Sequence, residues 1–347
     1  MAKNPNRGEP APAGAQQVRT TPGGPPHRVA LRLPVRLPFN PQNLFGHLAA
    51  TAVPGVEEVR DGAYRRGLRL PHAPGIAELT PQADHVAATL ILADLRDLPP
   101  AVTRCRWLLD LDSDPVTIDE HLSRDPALGA LVAQAPGRRI PRSVDGPELA
   151  IRAVLGQQIS TAAARTQAAR LTAEFGEAVT DPDGGITHLF PTPGALLEAR
   201  LAGPESRGRT LTALAAALAS GQLIVDPGAD PDLTRRQLRD LPGIGPWTTE
   251  IIAMRALGDP DAFPASDLGV RRAAEALGMP GTPAALTARS RRWQPWRAYA
   301  VQYLWSVLPH PINQWPQPAT CTTDPGRTWP RTGPASADQR TGSAGRG

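Results

Sequence analysis

The chain has 347 residues, of which 41% are hydrophobic, and it has neither an apolar run near the ~20 residues of a membrane span nor a signal segment, so we expect a soluble intracellular protein. Only two cysteines occur, Cys105 and Cys321, which excludes a four-cysteine zinc site, an iron–sulfur cluster and a disulfide framework. The net charge of +4 comes from the two ends, so it does not by itself indicate a nucleic-acid-binding core.

The amino-terminal part of the chain has the patterns of a small antiparallel sheet. Apolar residues alternate over 29–38, which predicts a strand. A helix is expected next, because apolar residues at helical spacing follow Asn40 and a proline in the first turn. Three further short strands are predicted, at 64–70, 76–80 and 86–92. We therefore predict an α+β domain over residues 29–112.

From residue 113 to 315 the pattern becomes helical. Apolar residues fall at helical spacing in segments of roughly 10 to 17 residues separated by Gly, Pro and Asp, which predicts about nine helices and no strand. Residues 1–28 and 316–347 are rich in Pro, Gly, Ser, Thr and Arg, and are predicted to be disordered tails. The expected fold class is α+β, with the small antiparallel-sheet domain packed on an all-α body.

A glycine-rich string, Leu-Pro-Gly-Ile-Gly-Pro-Trp-Thr at residues 241–248, separates two predicted helices. Gly243 and Gly245 permit a tight hairpin, and Ile244 can fill the apolar gap between the helices. Backbone N–H groups at the start of the following helix, which includes Thr248, can then bind an anion. We interpret this hairpin as a phosphate-binding element, although an ordinary helix–helix turn is the alternative.

Asp267 lies about twenty residues after the hairpin, at the predicted start of a helix. Its plain interpretation is a helix N-cap. A carboxylate at this position could also face the sugar of a bound nucleotide, and the two roles are compatible. Basic and aromatic residues follow, an arrangement that suits nucleic-acid binding as well as it suits core tryptophans beneath a solvated arginine face. They are Arg271, Arg272, Arg289, Arg291, Arg292 and Arg297, with Trp247, Trp293, Trp296, Trp305 and Trp315 in or beside the same stretch.

Four separated motifs in order make the chain resemble the helix-hairpin-helix DNA glycosylases. They are the hairpin, Asp267 in the form Asp-x-x-Val, Val-Leu-Gly-Gln-Gln-Ile-Ser at 154–160, and Trp-Gln-Pro-Trp-Arg-Ala-Tyr-Ala at 293–300. The last motif is similar to the DNA-3-methyladenine glycosylase II (AlkA-type) branch. The resemblance spans roughly residues 30–312 and implies an enzyme that flips alkylated bases, of the 3-methyladenine and 7-methylguanine type, out of duplex DNA and hydrolyses the N-glycosidic bond.

The resemblance also implies roles for individual residues. Asp267 would be catalytic, stabilising the oxocarbenium character of the sugar and orienting water. Trp247 and Trp305 would line the base pocket, where aromatic faces attract a cationic base, although packing is an equally plausible role for Trp305. His47 would border the cleft, but a lone histidine is more often structural. Gln157 and Gln158 occupy the turn that fills the gap left by the flipped base, with Gln158 as the wedge.

The resemblance bears on mechanism and partners as well. Relatives that also cut the strand use a lysine after the hairpin; here Trp247 takes that place and the one lysine is Lys3, so we expect no AP-lyase activity. We expect no cofactor except a possible monovalent cation, Na⁺ or K⁺, at the hairpin. The expected protein is a stand-alone, monomeric, nucleoid-associated bacterial enzyme of the cytoplasm that binds double-stranded DNA and no membrane.

Two alternatives remain open at this stage. Ile251 and Ser306 stand where some relatives carry tyrosines, which keeps deaminated or oxidised bases open as substrates. The hairpin alone would also fit a non-catalytic DNA-binding module. The carboxylate of Asp267 disfavours that module, because an acid facing a phosphodiester would repel DNA.

Overall fold

The computed structural model describes residues 25–199 and 205–316, and the two predicted tails lie almost wholly outside this range. A five-stranded antiparallel sheet opens the described part, with spatial order β1-β5-β4-β3-β2. β1 already begins at His27, before the predicted end of the tail at 28. The strands are β1 His27–Pro34, β2 Glu57–Arg60, β3 Ala63–Leu68, β4 Gly75–Pro81 and β5 His85–Leu92.

The short strand β2 was not predicted, although its turn chemistry is visible in the sequence. Asp61 and Gly62 connect β2 to β3, with φ angles of +52° and +76°. An Asp-Gly pair with two positive φ angles is typical of a two-residue hairpin turn. Three of the four residues of Glu57–Arg60 are charged, so the segment lacks the alternation of apolar residues that predicts a strand.

Two helices cover the sheet, α1 Pro41–Thr51 and α2 Leu98–Leu108. The Asn40 side chain caps α1 by accepting from the Gln42 N–H at 3.1 Å, as the sequence predicts. Leu44 and Phe45 of α1 are fully buried in one apolar core with the strands, and Cys105 of α2 is buried there too. The sheet and these helices share this one apolar core.

The rest of the described chain is mostly helical, around a second apolar core. One short antiparallel pairing, Glu177–Ala178 with His188–Leu189, was not expected. A 3-10 turn at Gly194–Leu196 precedes the helix Glu205–Ala219 in the chain. The helices are α3 Pro115–Ser123, α4 Pro126–Gln134, α5 Gly146–Leu155, α6 Thr161–Phe175, α7 Glu205–Ala219, α8 Pro231–Asp240, α9 Pro246–Ile252 with a π-helical extension Ala253–Leu257, α10 Leu268–Ala276, α11 Pro283–Ser290 and α12 Arg297–Trp305.

A buried ion network joins the sheet to α5. Arg66 of β3 contacts Glu57 at 3.2 Å and Glu148 at 2.8 Å, while Arg152 contacts the same two acids at 3.0 and 2.8 Å. The Tyr64 hydroxyl donates to Glu57 at 2.6 Å. Burial favours the neutral acid, but Arg152 and Arg66 outweigh it and lower the pKa of Glu57. Two positive and two negative charges therefore balance within the interior.

The segment after α12 returns to α1 and packs along it. Trp315 is buried against Phe45, with ring centroids 5.2 Å apart, and its backbone N–H donates to the Gln42 side chain at 3.0 Å. A Cβ atom at Gly46 would lie 2.7 Å from the backbone of Gln314, so only glycine permits this approach. The contact brings residues 308–312 to the cavity described below.

Candidate active site and nucleic-acid interface

The hairpin of residues 241–245 joins α8 to α9. Gly243 has a φ of +79°, and a Cβ atom there would lie 2.0 Å from the Thr210 hydroxyl, so this position requires glycine on both counts. Ile244 is buried in the helical core, as predicted. Gly245 is the N-cap of α9, has no side-chain cap and has open space where a Cβ would be.

Asp267 caps a helix, as predicted, and its side chain also lines a cavity. It is the N-cap of α10, and its Oδ1 accepts from the Val270 N–H at 2.9 Å. The same oxygen accepts from the indole Nε1 of Trp305 at 2.9 Å, and Oδ2 accepts from the indole Nε1 of Trp247 at 2.8 Å. Three donors from three helices thus fix the carboxylate, which lines a cavity of about 630 Å³.

The cavity brings together residues that are far apart in the sequence. Trp247 and Trp305 flank Asp267, and His47 from α1 lines the same space, as the resemblance implied. Ile251 lines it as well, whereas Ser306 is not among the lining residues. One wall of the cavity is therefore aliphatic beside the two tryptophans.

Another part of the cavity is strongly basic, which the sequence did not indicate. Arg255 is enclosed by protein but open to the cavity, and burial lowers its pKa to about 9, with a smaller contribution from Arg152. Arg255 therefore stays charged at neutral pH. Burial also lowers the pKa of His47 well below its usual range, assisted by Arg255 and Arg152, so His47 is neutral at neutral pH.

The turn between α5 and α6 lies against the hairpin. Nε2 of Gln157 is 3.0 Å from the carbonyl oxygen of Gly243 and 3.0 Å from the hydroxyl of Thr248. Arg207 in turn donates to the Gln157 carbonyl at 2.7 Å. Thr248, only 2% exposed, holds Gln157 from inside the protein. Gln158 is exposed and has a φ of +58°, so the tip of the turn projects a polar side chain outward.

Several arginines of the stretch from 271 to 297 are bound to other groups of the protein and are not free to contact a ligand. Arg289 contacts Asp125 through both terminal nitrogens, Arg297 contacts Asp261 at 2.7 Å, and Arg271 donates to the carbonyl of Gly281. Arg291 and Arg292 are exposed, and so is Arg272, which lines the cavity. The tryptophans divide in the same way: Trp293 and Trp315 are buried, whereas Trp247 and Trp305 line the cavity.

Within residues 25–199 and 205–316, no group of three or more His, Cys, Asp or Glu side chains is placed to hold a metal ion. No helix in that range combines the length and apolar character that crossing a membrane requires. The acidic residues near the cavity are accounted for by the Glu57 network and by Asp267 itself.

Comparisons with known proteins agree with the geometry. Residues 30–145 match the family model described as the AlkA N-terminal domain. DNA-3-methyladenine glycosylase 2 of Escherichia coli K12 is 33% identical over 279 residues, which cover 77% of this chain and 94% of that relative. A probable bifunctional transcriptional activator/DNA repair enzyme AlkA of Mycobacterium tuberculosis H37Rv is 60% identical over 291 residues, 83% of this chain. Those residues cover 59% of that relative's own length.

The fold comparison points the same way. The solved 3-methyladenine DNA-glycosylase from Archaeoglobus fulgidus superposes with a TM-score of 0.67 at 22% identity, covering 81% of this chain and 97% of that one. An α+β fold with a small antiparallel sheet and a helical body is thereby confirmed.

Proposed function

The chain belongs to the AlkA family of DNA-3-methyladenine glycosylases, and from that premise we propose that it removes alkylated bases from double-stranded DNA by hydrolysing the N-glycosidic bond. One observation carries the proposal: the Asp267 carboxylate faces a cavity large enough for a nucleobase and is held there by the two indoles that flank it. A base must leave the duplex to reach such a carboxylate.

In the reaction, the bond between the base nitrogen and C1′ breaks and the base leaves with the electron pair. Positive charge develops on the sugar, and the Asp267 carboxylate stabilises it. A water oxygen then bonds to C1′ and its proton passes to the carboxylate or to solvent. Because Asp267 is fixed by donors on both oxygens, it needs little reorganisation as the charge develops.

The cavity walls favour a cationic base. The indole N–H groups of Trp247 and Trp305 donate to Asp267, and both residues line the cavity. A base alkylated at a ring nitrogen carries positive charge, which the negative face of an aromatic ring attracts. Such a base is also a good leaving group, so a single carboxylate suffices for the chemistry.

Two elements outside the cavity are suited to grip the DNA. The free N–H groups at the start of α9, beyond Gly243 and Gly245, would bind a backbone phosphate, and hairpin carbonyls would hold a monovalent cation there. The exposed Gln158 would enter the gap left by the flipped base, and its amide could hydrogen-bond the orphaned partner base. Arg272 would contact a phosphate beside the cavity.

We further propose that the protein acts as a monomer and releases the base without cutting the strand. The cavity of the described residues holds arginines but no lysine, and an arginine does not form a Schiff base with the sugar. Borohydride reduction during turnover should therefore trap no covalent complex between protein and DNA.

The decisive experiment measures base release from methylated duplex DNA by the parent and by Asp267→Asn. Asparagine keeps the helix cap but removes the negative charge, so we expect release to fall about a hundredfold or more while DNA binding persists. Asp114→Asn, which changes the N-cap of α3 outside the cavity, is the matched control and should be fully active. Equal release by the parent and Asp267→Asn would contradict the proposal.

A second candidate substrate class, deaminated or oxidised bases, is favoured by one observation. Ile251 lines the cavity with an aliphatic side chain, which gives less attraction for a cationic ring than an aromatic residue would. Release of hypoxanthine or an oxidised base in preference to methylated bases would favour this class. A non-catalytic binding module would release neither.

A further inference from the structure

The basic end of the cavity is not used by the proposed reaction. Arg255 donates from Nε to the Pro141 carbonyl at 2.6 Å and accepts the Ser143 N–H on its own carbonyl. Among the described residues, its terminal Nη atoms have neither a hydrogen-bond acceptor nor a carboxylate partner. These N–H donors belong to a residue that lines the cavity and they have no protein partner, so this end of the cavity can donate hydrogen bonds to a ligand atom.

The position of Arg255 relative to the reacting bond follows from the helix. Trp247, Ile251 and Arg255 are spaced by four residues along α9 and its π-helical extension, so they share one face, and all three line the cavity. Over eight residues the helix rises about 12 Å, and long side chains lean back toward the helix start. Arg255 therefore begins about two turns beyond Trp247, and its side chain leans back over Ile251 toward the carboxylate that contacts Trp247.

His47 adds a second unsatisfied polar group to the same end. Its Nε2 atom is buried without a hydrogen-bond partner in the described structure, and the ring lines the cavity. Arg152, the neighbouring cation, is already paired with Glu57 and Glu148 and is not free to bind a ligand. Arg255 and His47 are thus two cavity-lining residues with polar atoms free to bind a ligand.

We propose that Arg255 and His47 form a subsite that recognises the exocyclic oxygen of a 6-oxopurine, so that the cavity selects guanine-type and hypoxanthine-type lesions over adenine-type ones. In a purine, the bond to the sugar and the 6-substituent lie at opposite ends of the ring system. A base whose C1′ lies at Asp267 directs its 6-substituent toward Arg255. A 6-oxo group accepts hydrogen bonds from a guanidinium, whereas a 6-amino group offers donors to a cation that is already a donor.

This inference rests on the proposed glycosylase function and is tested by a ratio. DNA treated with a methylating agent contains both 7-methylguanine, a 6-oxopurine, and 3-methyladenine, a 6-aminopurine, so one sample gives both release rates. Both lesions are cationic. Any effect that removal of the Arg255 charge has on a cationic base therefore changes both release rates alike and cancels in their ratio. We expect Arg255→Met to lower the ratio of 7-methylguanine to 3-methyladenine release about tenfold, as expected for a lost hydrogen bond to a charged group.

Two further variants keep the test decisive if Arg255→Met is unstable. Arg255→Lys retains the charge but not the planar fork and should lower the ratio by less. His47→Phe removes the second group and should lower it about threefold. Arg104→Met is the matched control, because Arg104 also donates to a backbone carbonyl, of Val144 at 3.0 Å, but does not line the cavity.

The outcomes separate the two claims. If the parent releases neither methylated base, the proposed function fails. If the parent releases both and the folded Arg255 and His47 variants keep the parent's ratio, or lose both activities equally, the subsite is wrong while the glycosylase function stands. A selective loss of 7-methylguanine release supports the subsite.

Discussion

The Gln157 side chain joins the hairpin at Gly243 through an N–H···O hydrogen bond of 3.0 Å. This contact links the turn expected to fill the gap in the DNA with the hairpin expected to hold the phosphate. Since the same amide also reaches Thr248, one side chain bridges the turn and the hairpin. Their spacing on the protein surface is set before DNA arrives, which lowers the ordering cost of binding.

We therefore predict that Gln157→Ala weakens binding to DNA containing an abasic site about tenfold, while the free energy of unfolding falls by only about 1 kcal/mol. Fluorescence anisotropy and denaturant unfolding measure the two quantities. Gln237→Ala is the control, because Gln237 also donates its amide to a backbone carbonyl, at 2.9 Å, but away from the hairpin. Equal losses in the two variants would show that the bridge has no special role.

The indole donors to Asp267 give a second prediction. Trp247→Phe and Trp305→Phe keep an aromatic face in the cavity but each removes one hydrogen bond to the carboxylate. We expect each change to slow single-turnover base release about tenfold with little change in DNA affinity, because the lost contact acts on the group that stabilises the transition state. Trp296→Phe, which alters a tryptophan packed on Tyr299, should be neutral. Weaker binding with an unchanged release rate would contradict this prediction.

The parts of the site that the sequence predicted are those specified by local chemistry. A proline, two glycines and an intervening isoleucine predict the hairpin, and an aspartate before a helical segment predicts the cap at Asp267. The structure places both in the expected local conformations. Local signals of the same kind were overlooked twice, at the Asp61-Gly62 turn and at Thr282, which caps α11.

The parts that the sequence did not predict depend on partners distant in the chain. Counting charges between 271 and 297 could not distinguish arginines bound to Asp125 or Asp261 from those that remain exposed. Likewise, the spacing of Arg255 from Trp247 predicts a shared helix face, but only the folded structure shows that Arg255 lines the cavity. The role of a charged residue depends on which residues it contacts in the folded protein, and the order of residues in the sequence does not give those contacts.

Gly243 provides a test of the hairpin itself. Gly243→Ala would place a Cβ atom 2.0 Å from the Thr210 hydroxyl at a φ of +79°, so we expect the free energy of unfolding to fall by about 2 kcal/mol or more. Gly245→Ala is the control, since its Cβ meets open space. Adding Thr210→Ala to Gly243→Ala should restore the part of the loss that is due to the clash. Chemical denaturation of the four proteins would check this, and an equal loss at both glycines would contradict it.

His47 gives a prediction for pH. An unfolded histidine has a pKa near 6.5, whereas burial, assisted by Arg255, Arg152 and His310, holds the pKa of His47 well below that value. Between the two pKa values the unfolded chain binds a proton that the folded protein does not. The free energy of unfolding must therefore fall as the pH drops below about 6.5, by at most about 1.4 kcal/mol per pH unit from this residue.

His47→Phe removes this titration while keeping a ring in the cavity, so the variant should lose less stability than the parent between pH 6.5 and pH 5. Subtracting the two curves isolates His47, because the Glu57 carboxylate and the surrounding arginines are present in both proteins. His27→Phe, at an exposed position on β1, controls for the replacement of a histidine by phenylalanine. If the His47→Phe and parent curves were parallel, His47 would have to gain its proton as easily in the folded cavity as in water, which would contradict the lowered pKa that its burial gives.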